Sequence, residues 1–180
     1  EVAWHNWGWQ KQFGYTPTDS TTIWNDYVHL FHTLIPKALD RLDPSRSYTA
    51  TSPLSNWGKP ENFNDGSMHY WGVWHGNDTF EDYENNVGRF MAEYGFQSFP
   101  NMETVAYFAD SSEWDLNTEV MQHHQKSYIG NGKMQEFIDQ YFEKPSGFTD
   151  FVSKSQKTQA IGMQMAIDAH RLNKGHCWGT

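Results

Sequence analysis

The chain has 180 residues, a formal net charge of −9 and a single cysteine, a length that can hold one domain with a sizeable core. The acidic balance argues against nucleic acid and anionic membranes, which want basic patches. The lone Cys177 excludes an internal disulfide and any multi-thiolate metal site, while leaving the cellular compartment unknown. Charged residues are 19% and mean hydropathy is −0.80, yet 17% of residues are aromatic and nine are Trp. Such a polar and aromatic chain suits concave sites for amphipathic ligands, sugars among them, although any one of these rings can equally be ordinary core.

In chain order, residues 1–15 are an aromatic-rich segment with Trp4, Trp7 and Trp9 around His5 and Asn6, and no clean period. It reads as a loop over a pocket. Asp19 or Ser20 can cap a helix to about Leu34 that puts Ile23, Trp24, Tyr27, Phe31 and Leu34 on one face. That helix is expected to kink at Pro36 and continue towards Leu42. After the Asp43-Pro44-Ser45 turn, Tyr48 to Ser52 alternates as a short strand bounded by Pro53. A loop carrying Trp57-Gly58 follows, then a strand over Met68 to Val73, turn residues 74–78 and a short helix over Phe80 to Asn86.

Arg89 to Met91 reads as a brief buried strand that delivers Glu93 into a loop of aromatics, with Gly95 and Pro100 as its turn residues. Beyond it the pattern is helical: Glu103 to Ala109, Asn117 to about Lys126, a helix lined by Met134, Phe137, Ile138 and Tyr141, and a long helix from Thr149 to Leu172. The long helix should turn Val152, Ala160, Met163 and Ile167 inwards. Gly175 to Thr180 resembles the start of a strand. Strands alternating with helices indicate parallel βα units, an α/β fold. Three strands and part of a fourth cannot close a sheet, and the chain does not begin with Met, so it is expected to be a piece of a longer protein. No run reaches the about 18 apolar residues of a membrane span, and no signal-peptide pattern is seen.

Carboxylate chemistry fits the residues best. No Gly-x-Ser-x-Gly elbow, P-loop or dinucleotide fingerprint occurs. The pairs His29/His32 and His123-His124 do not match His-Glu-x-x-His, so metal binding is not expected. An acid leaving the C-terminal end of a strand is where parallel α/β architectures place their chemistry. Glu93 is therefore the candidate, with His69-Tyr70-Trp71 on the preceding strand within reach of it; a Glu satisfied by a neighbouring Arg or His is the structural alternative. Glycoside hydrolysis of the retaining type would need a second carboxyl about 5–5.5 Å away.

Asp65-Gly66-Ser67-Met68-His69-Tyr70-Trp71-Gly72-Val73-Trp74 and Gly88-Arg89-Phe90-Met91-Ala92-Glu93-Tyr94-Gly95-Phe96-Gln97-Ser98-Phe99-Pro100 closely resemble the β-mannosidases of glycoside hydrolase family 2. Ala3 to Gln10 resembles the segment after that family's acid/base motif, and Gly175 to Thr180 its lead into the eighth strand. The resemblance implies part of a (β/α)8 TIM barrel, roughly from after strand 4 to the start of strand 8, with residues 1–180 forming one partial catalytic domain. It implies Glu93 as nucleophile, Trp7 and Trp57 lining the pocket for a terminal mannose, and His69 and Trp71 projecting towards it. Tyr70 should turn away by alternation. His123-His124-Gln125 is either near the site or a solvated helix end.

The chain departs from the family at the acid/base, whose Asn-Asn-Glu motif is missing. Glu1 is the only nearby carboxylate, and family spacing puts the acid/base a residue or two before it. Ala92 stands where Ser is more usual. The implied activity is retaining exo-hydrolysis of terminal β-mannosides, with no metal or organic cofactor. The implied partners are a carbohydrate substrate and the remainder of the barrel with its N-terminal β-domains. Made alone, such a half-barrel should be inactive, because its strand edges and core lack partners. Family 2 exo-glycosidases acting on glucosaminides or galactosides, and a non-catalytic carbohydrate-binding module, are the rival expectations.

Overall fold

The computed structural model describes Trp4 and residues 8–180. Trp9–Gln12 (α1) precedes Pro17–His29 (α2), which runs through a π-helical turn at Leu30–Leu34 into Ile35–Leu42 (α3). Helix α2 starts earlier than expected because Thr16 and Asp19 form a capping box. The Asp19 amide donates to Thr16 Oγ1 and the Thr16 amide to Asp19 Oδ2, each at 3.1 Å, with Pro17 in the first turn. Pro36 cannot donate to the helical ladder, and the wider turn just before it absorbs the irregularity while the chain continues to Leu42, as its pattern suggested. The apolar face of α2 stacks on itself, Trp24 on Tyr27 at 5.4 Å and Tyr27 on Phe31 at 4.8 Å. None of the residues of α2 and α3 is buried.

Ser55–Asn56 (β1), Ser67–His69 (β2) and Phe90–Glu93 (β3) form a parallel sheet in the order β1-β2-β3. The strand expected over 48–52 is absent. Pairing to β2 starts only after Pro53, with the Leu54 amide on Ser67 O at 3.0 Å and the Trp57 amide on His69 O at 3.4 Å. The strand expected over 68–73 stops at His69, and Gly72–His75 (α4) follows as a helical turn. Two buried interactions impose that turn. Tyr70 is buried with its hydroxyl donating to Asp78 at 2.7 Å, and Gly72 lies so close to the Asp78 carboxylate and the Tyr70 ring that a Cβ there would overlap both.

The remaining helices are Asp82–Asn85 (α5), Met102–Phe108 (α6), Glu119–His124 (α7), Gly130–Tyr141 (α8) and Phe148–Leu172 (α9). They lie within a few residues of the expected ranges. Met134, Phe137 and Ile138 of α8 are buried as their spacing requires. The seam of α9 differs from expectation. Phe151, Val152, Ser155, Thr158, Gly162 and Ala166 are buried, whereas Ala160 and Ile167 are exposed. Small residues occupy this seam because the Phe80 ring presses against Gly162.

One core joins sheet and helices, built on Met68, Tyr70 and Met91 below the strands and on Phe80, Tyr83, Phe96 and Phe137 beside them. Burying such aromatic and long side chains contributes about 1.5–3 kcal/mol each. Residues 178–179 form no assigned strand, yet the Trp178 amide donates to Arg89 O and the Met91 amide to Gly179 O, both at 2.9 Å, along the free edge of β3. No helix among the described residues is long and apolar enough to cross a membrane.

Candidate active site

The C-terminal ends of the three strands bring Asn56, His69 and Glu93 into one row: Asn56 pairs with His69, and His69 with Glu93. A register shift separates this row from the one before it. Met68 pairs with Met91 but His69 pairs with Glu93, so Ala92 is an extra residue in β3. In a regular strand Met91 and Glu93, two residues apart, would face the same way. Here Met91 is buried with Met68 in the core, while the Glu93 side chain emerges half-exposed beside His69. The bulge re-aims the carboxylate, as bulges beside functional sites do.

Two nitrogen atoms converge on one carboxylate oxygen. Trp71 Nε1 donates to Glu93 Oε2 at 3.2 Å, and His69 Nδ1 lies 3.2 Å from the same atom. Burial pushes the His69 pKa down, against an opposing pull from the Glu93 charge. His69 Nδ1 is a close polar neighbour of Oε2, while Trp71 supplies the hydrogen bond to it. The Trp71 hydrogen bond and the His69 contact both fall on Oε2. Tyr70 turns the other way, into the core, and burial first, then its bond to Asp78, pushes its pKa far up.

The loop after Glu93 is held by side chains rather than by a sheet. Gly95 adopts φ 155°, which non-glycine residues rarely take, and its carbonyl accepts from the Tyr83 hydroxyl at 3.1 Å. Gln159 of α9 donates to Phe96 O at 2.6 Å and accepts from Ser98 Oγ at 2.9 Å. The Phe99 amide donates to Ser155 Oγ at 3.1 Å. A cavity of ≈620 Å³ is walled by Trp71, Trp74, Tyr94 and Gln97 among others, and Trp71, which donates to Glu93, links it to the carboxylate, which does not itself line it. The cavity volume falls within the about 300–1,000 Å³ typical of ligand sites.

Glu93, His69 and Trp71 are thus brought together, and Trp57 meets His69 through its backbone amide while lying away from the carboxylate's cavity. Its ring lines a different cleft of ≈490 Å³ with Phe63, Tyr70 and Asp78. Trp7 and Glu1 lie outside the described residues. His123 and His124 end α7, where His124 stacks on Phe108 at 4.0 Å. Gln125 reaches inwards instead and accepts from Gln97 Nε2 at 3.0 Å. Sequence reasoning passed over Tyr94, Gln97 and Gln159 as walls of the cavity. The polar Gln97 inside an aromatic run was the one local signal. Among the described residues no three His, Cys, Asp or Glu side chains group as a metal site would require.

No protein-family model matches the chain. It is similar to β-mannosidase B of Emericella nidulans, 28% identical over 161 residues, and to β-mannosidase B of Aspergillus flavus, 26% identical over 160 residues. Each comparison covers 84% of this chain and 19% of the relative, so the chain spans about a fifth of the length of the curated relatives it matches. Among solved structures it is similar to a β-D-mannosidase from Dictyoglomus thermophilum, with a TM-score of 0.78 and 29% identity over 84% of this chain and 19% of that one. In sequence and in fold, the chain is similar over most of its length to a segment of β-mannosidases.

Proposed function

We propose that this chain carries the nucleophile of a retaining exo-β-mannosidase of glycoside hydrolase family 2. It then forms the part of a (β/α)8 barrel from after strand 4 to the start of strand 8, and the enzyme removes terminal non-reducing β-mannose. The observation that carries this reading is the Glu93 carboxylate at the C-terminal end of a parallel strand, with Trp71 and His69 both on Oε2. Similarity to β-mannosidases over most of the chain supports the choice of sugar.

In the proposed reaction the Glu93 carboxylate attacks the anomeric carbon. The bond from that carbon to the leaving oxygen breaks, and a second carboxylic acid, which the family resemblance locates just before Glu1, protonates that oxygen. The result is a covalent mannosyl ester on Glu93. Water then attacks the same carbon, gives its proton to the second carboxylate and expels Glu93, so configuration is retained. The Trp71 N–H aims the carboxylate in both steps, with the His69 ring against the same oxygen. The family resemblance assigns Trp7 and Trp57 to the walls of the mannose pocket, although the cleft Trp57 lines here, with Phe63 and Tyr70, is not the cavity walled by Trp71.

The test is to treat the full-length protein with 2-deoxy-2-fluoro-β-mannosyl fluoride and map the labelled peptide by mass spectrometry. A label on Glu93 is expected. Turnover of mannosides with the label elsewhere, or with none, would remove Glu93 as nucleophile.

A further inference from the structure

A second cleft of ≈740 Å³ adjoins the cavity walled by Trp71 and Tyr94, and Trp74 and Ser127 line both. The two are joined by a run of rings. Trp71, whose indole N–H is on Glu93, meets His75 edge-on at 5.6 Å between centroids. His75 in turn stacks almost parallel on Tyr128, at 5.9 Å and 10°, with the Tyr128 hydroxyl 3.2 Å from His75 Nδ1. Tyr128 is 82% exposed, so its ring offers an open flat face, with His75 as its side-chain neighbour.

The loop carrying that ring is fastened from below by one side chain. Gln125 accepts from the Ser127 amide and from Gln97 Nε2, each at 3.0 Å, and donates to Asn131 Oδ1 at 2.8 Å. Gly130 packs so closely on Gln125 that a Cβ there would overlap its amide. Opposite the loop, Lys133 Nζ donates to Gly76 O at 3.3 Å and pairs with Glu136 at 3.3 Å, which joins helix α8 to the turn after His75. An exposed aromatic among the amides of Asn77, Gln122 and Asn131 has the chemistry of a sugar platform. The C–H face of a pyranose lies on the ring, and its hydroxyls meet the amides.

We infer that this cleft binds the sugar on the leaving side of the scissile bond, so that Tyr128, held by His75, favours oligosaccharide substrates over mannosides with small leaving groups. The inference rests on the reading of Glu93 as a β-mannosidase nucleophile. Its place in the order of subsites follows from the continuity of rings: Trp71 at the carboxylate, His75 next, Tyr128 outermost.

The experiment compares β-1,4-mannobiose with β-mannosyl fluoride as substrates of the full-length protein and of its Tyr128→Ala and Tyr128→Phe variants. Fluoride as leaving group cannot reach the cleft, so its hydrolysis reports the integrity of fold and nucleophile. Tyr128→Ala is expected to lower kcat/KM for mannobiose about tenfold, the scale of one aromatic contact, and to leave mannosyl fluoride hydrolysis within about twofold. Tyr128→Phe, which keeps the ring but loses the hydroxyl contact to His75 Nδ1, should fall between the parent and Tyr128→Ala on mannobiose. An equal loss on both substrates, or no loss on mannobiose, overturns the inference while leaving the functional reading intact. A parent protein that hydrolyses neither substrate overturns the functional reading, and the subsite assignment with it.

Discussion

Replacing Glu93 by alanine in the full-length protein separates chemistry from fold. The side chain is half-exposed, and its hydrogen bond from Trp71 and its contact with His69 are both 3.2 Å, the long end for N–H···O. Losing exposed contacts of that kind changes stability by no more than about 0.5 kcal/mol, a melting shift of at most about 2 °C. The chemical effect is of a different order. Without a nucleophile the covalent route closes, and turnover should fall about 10⁴–10⁶-fold, equivalent to about 5.5–8 kcal/mol of barrier. The truncation also leaves the Trp71 N–H and the His69 ring facing an empty space of carboxylate size, which suits a small anion. Azide is therefore expected to restore part of the rate, and the product should be α-mannosyl azide, because a single displacement inverts the anomeric centre. The assays are thermal unfolding followed by fluorescence, release of a chromogenic leaving group with and without azide, and NMR of the product anomer. Retention of more than about a tenth of the parent rate at an unchanged melting temperature would refute the assignment of Glu93, and so would an azide product of β configuration.

Two further predictions concern the scaffold. Gly162→Ala places a Cβ 2.5 Å from Cε1 and 2.6 Å from Cζ of Phe80, a fully buried ring packed against Phe96, Phe137 and Tyr141. Overpacking of about 1–3 kcal/mol should exceed the up to about 1 kcal/mol gained in helix propensity, so thermal unfolding of the full-length variant should begin at a lower temperature; an unchanged or raised midpoint would show that the ring can move. His170 is buried against the Tyr94 ring with Nδ1 2.8 Å from Thr180 Oγ1, and burial pushes its pKa down to about 4. A histidine depressed in the folded state takes up its proton more readily when unfolded, so this site loses stability as pH falls from about 6.5 towards 4. His170→Gln should flatten the melting-temperature profile in that window, and an equally steep profile in the variant would refute the attribution.

Much of the architecture is local and therefore legible in the chain. Helix α8 follows from Met134, Phe137, Ile138 and Tyr141 at helical spacing, because a helix must bury one stripe wherever it packs. The break at Pro145-Ser146-Gly147 before α9 and the exit of Glu93 at a strand end follow in the same way from backbone chemistry a few residues long. The errors arose where a distant partner decides. Pro53 and the pairing of Leu54 and Trp57 with β2 moved the first strand beyond the alternating stretch. The Phe80 ring, about eighty residues away in sequence from Gly162, selected the small-residue seam of α9.

The candidate site divides along the same line. The sequence by itself placed Glu93 at a strand end with the His69-Tyr70-Trp71 segment of the preceding strand within reach, since parallel strands present their C-terminal ends together, and the choice of His69 and Trp71 came from the family resemblance. Only the tertiary structure decided that Ala92 is an extra residue, that Glu93 therefore faces opposite to Met91, and that Trp71 and His69 share Oε2. It also decided that Tyr128 meets His75, 53 residues earlier in the chain. Side-chain alternation and helical period are short-range properties of one segment, whereas register and ring-to-ring contact are properties of two segments at once, settled by whichever pairing buries Met68, Met91 and Phe80 together.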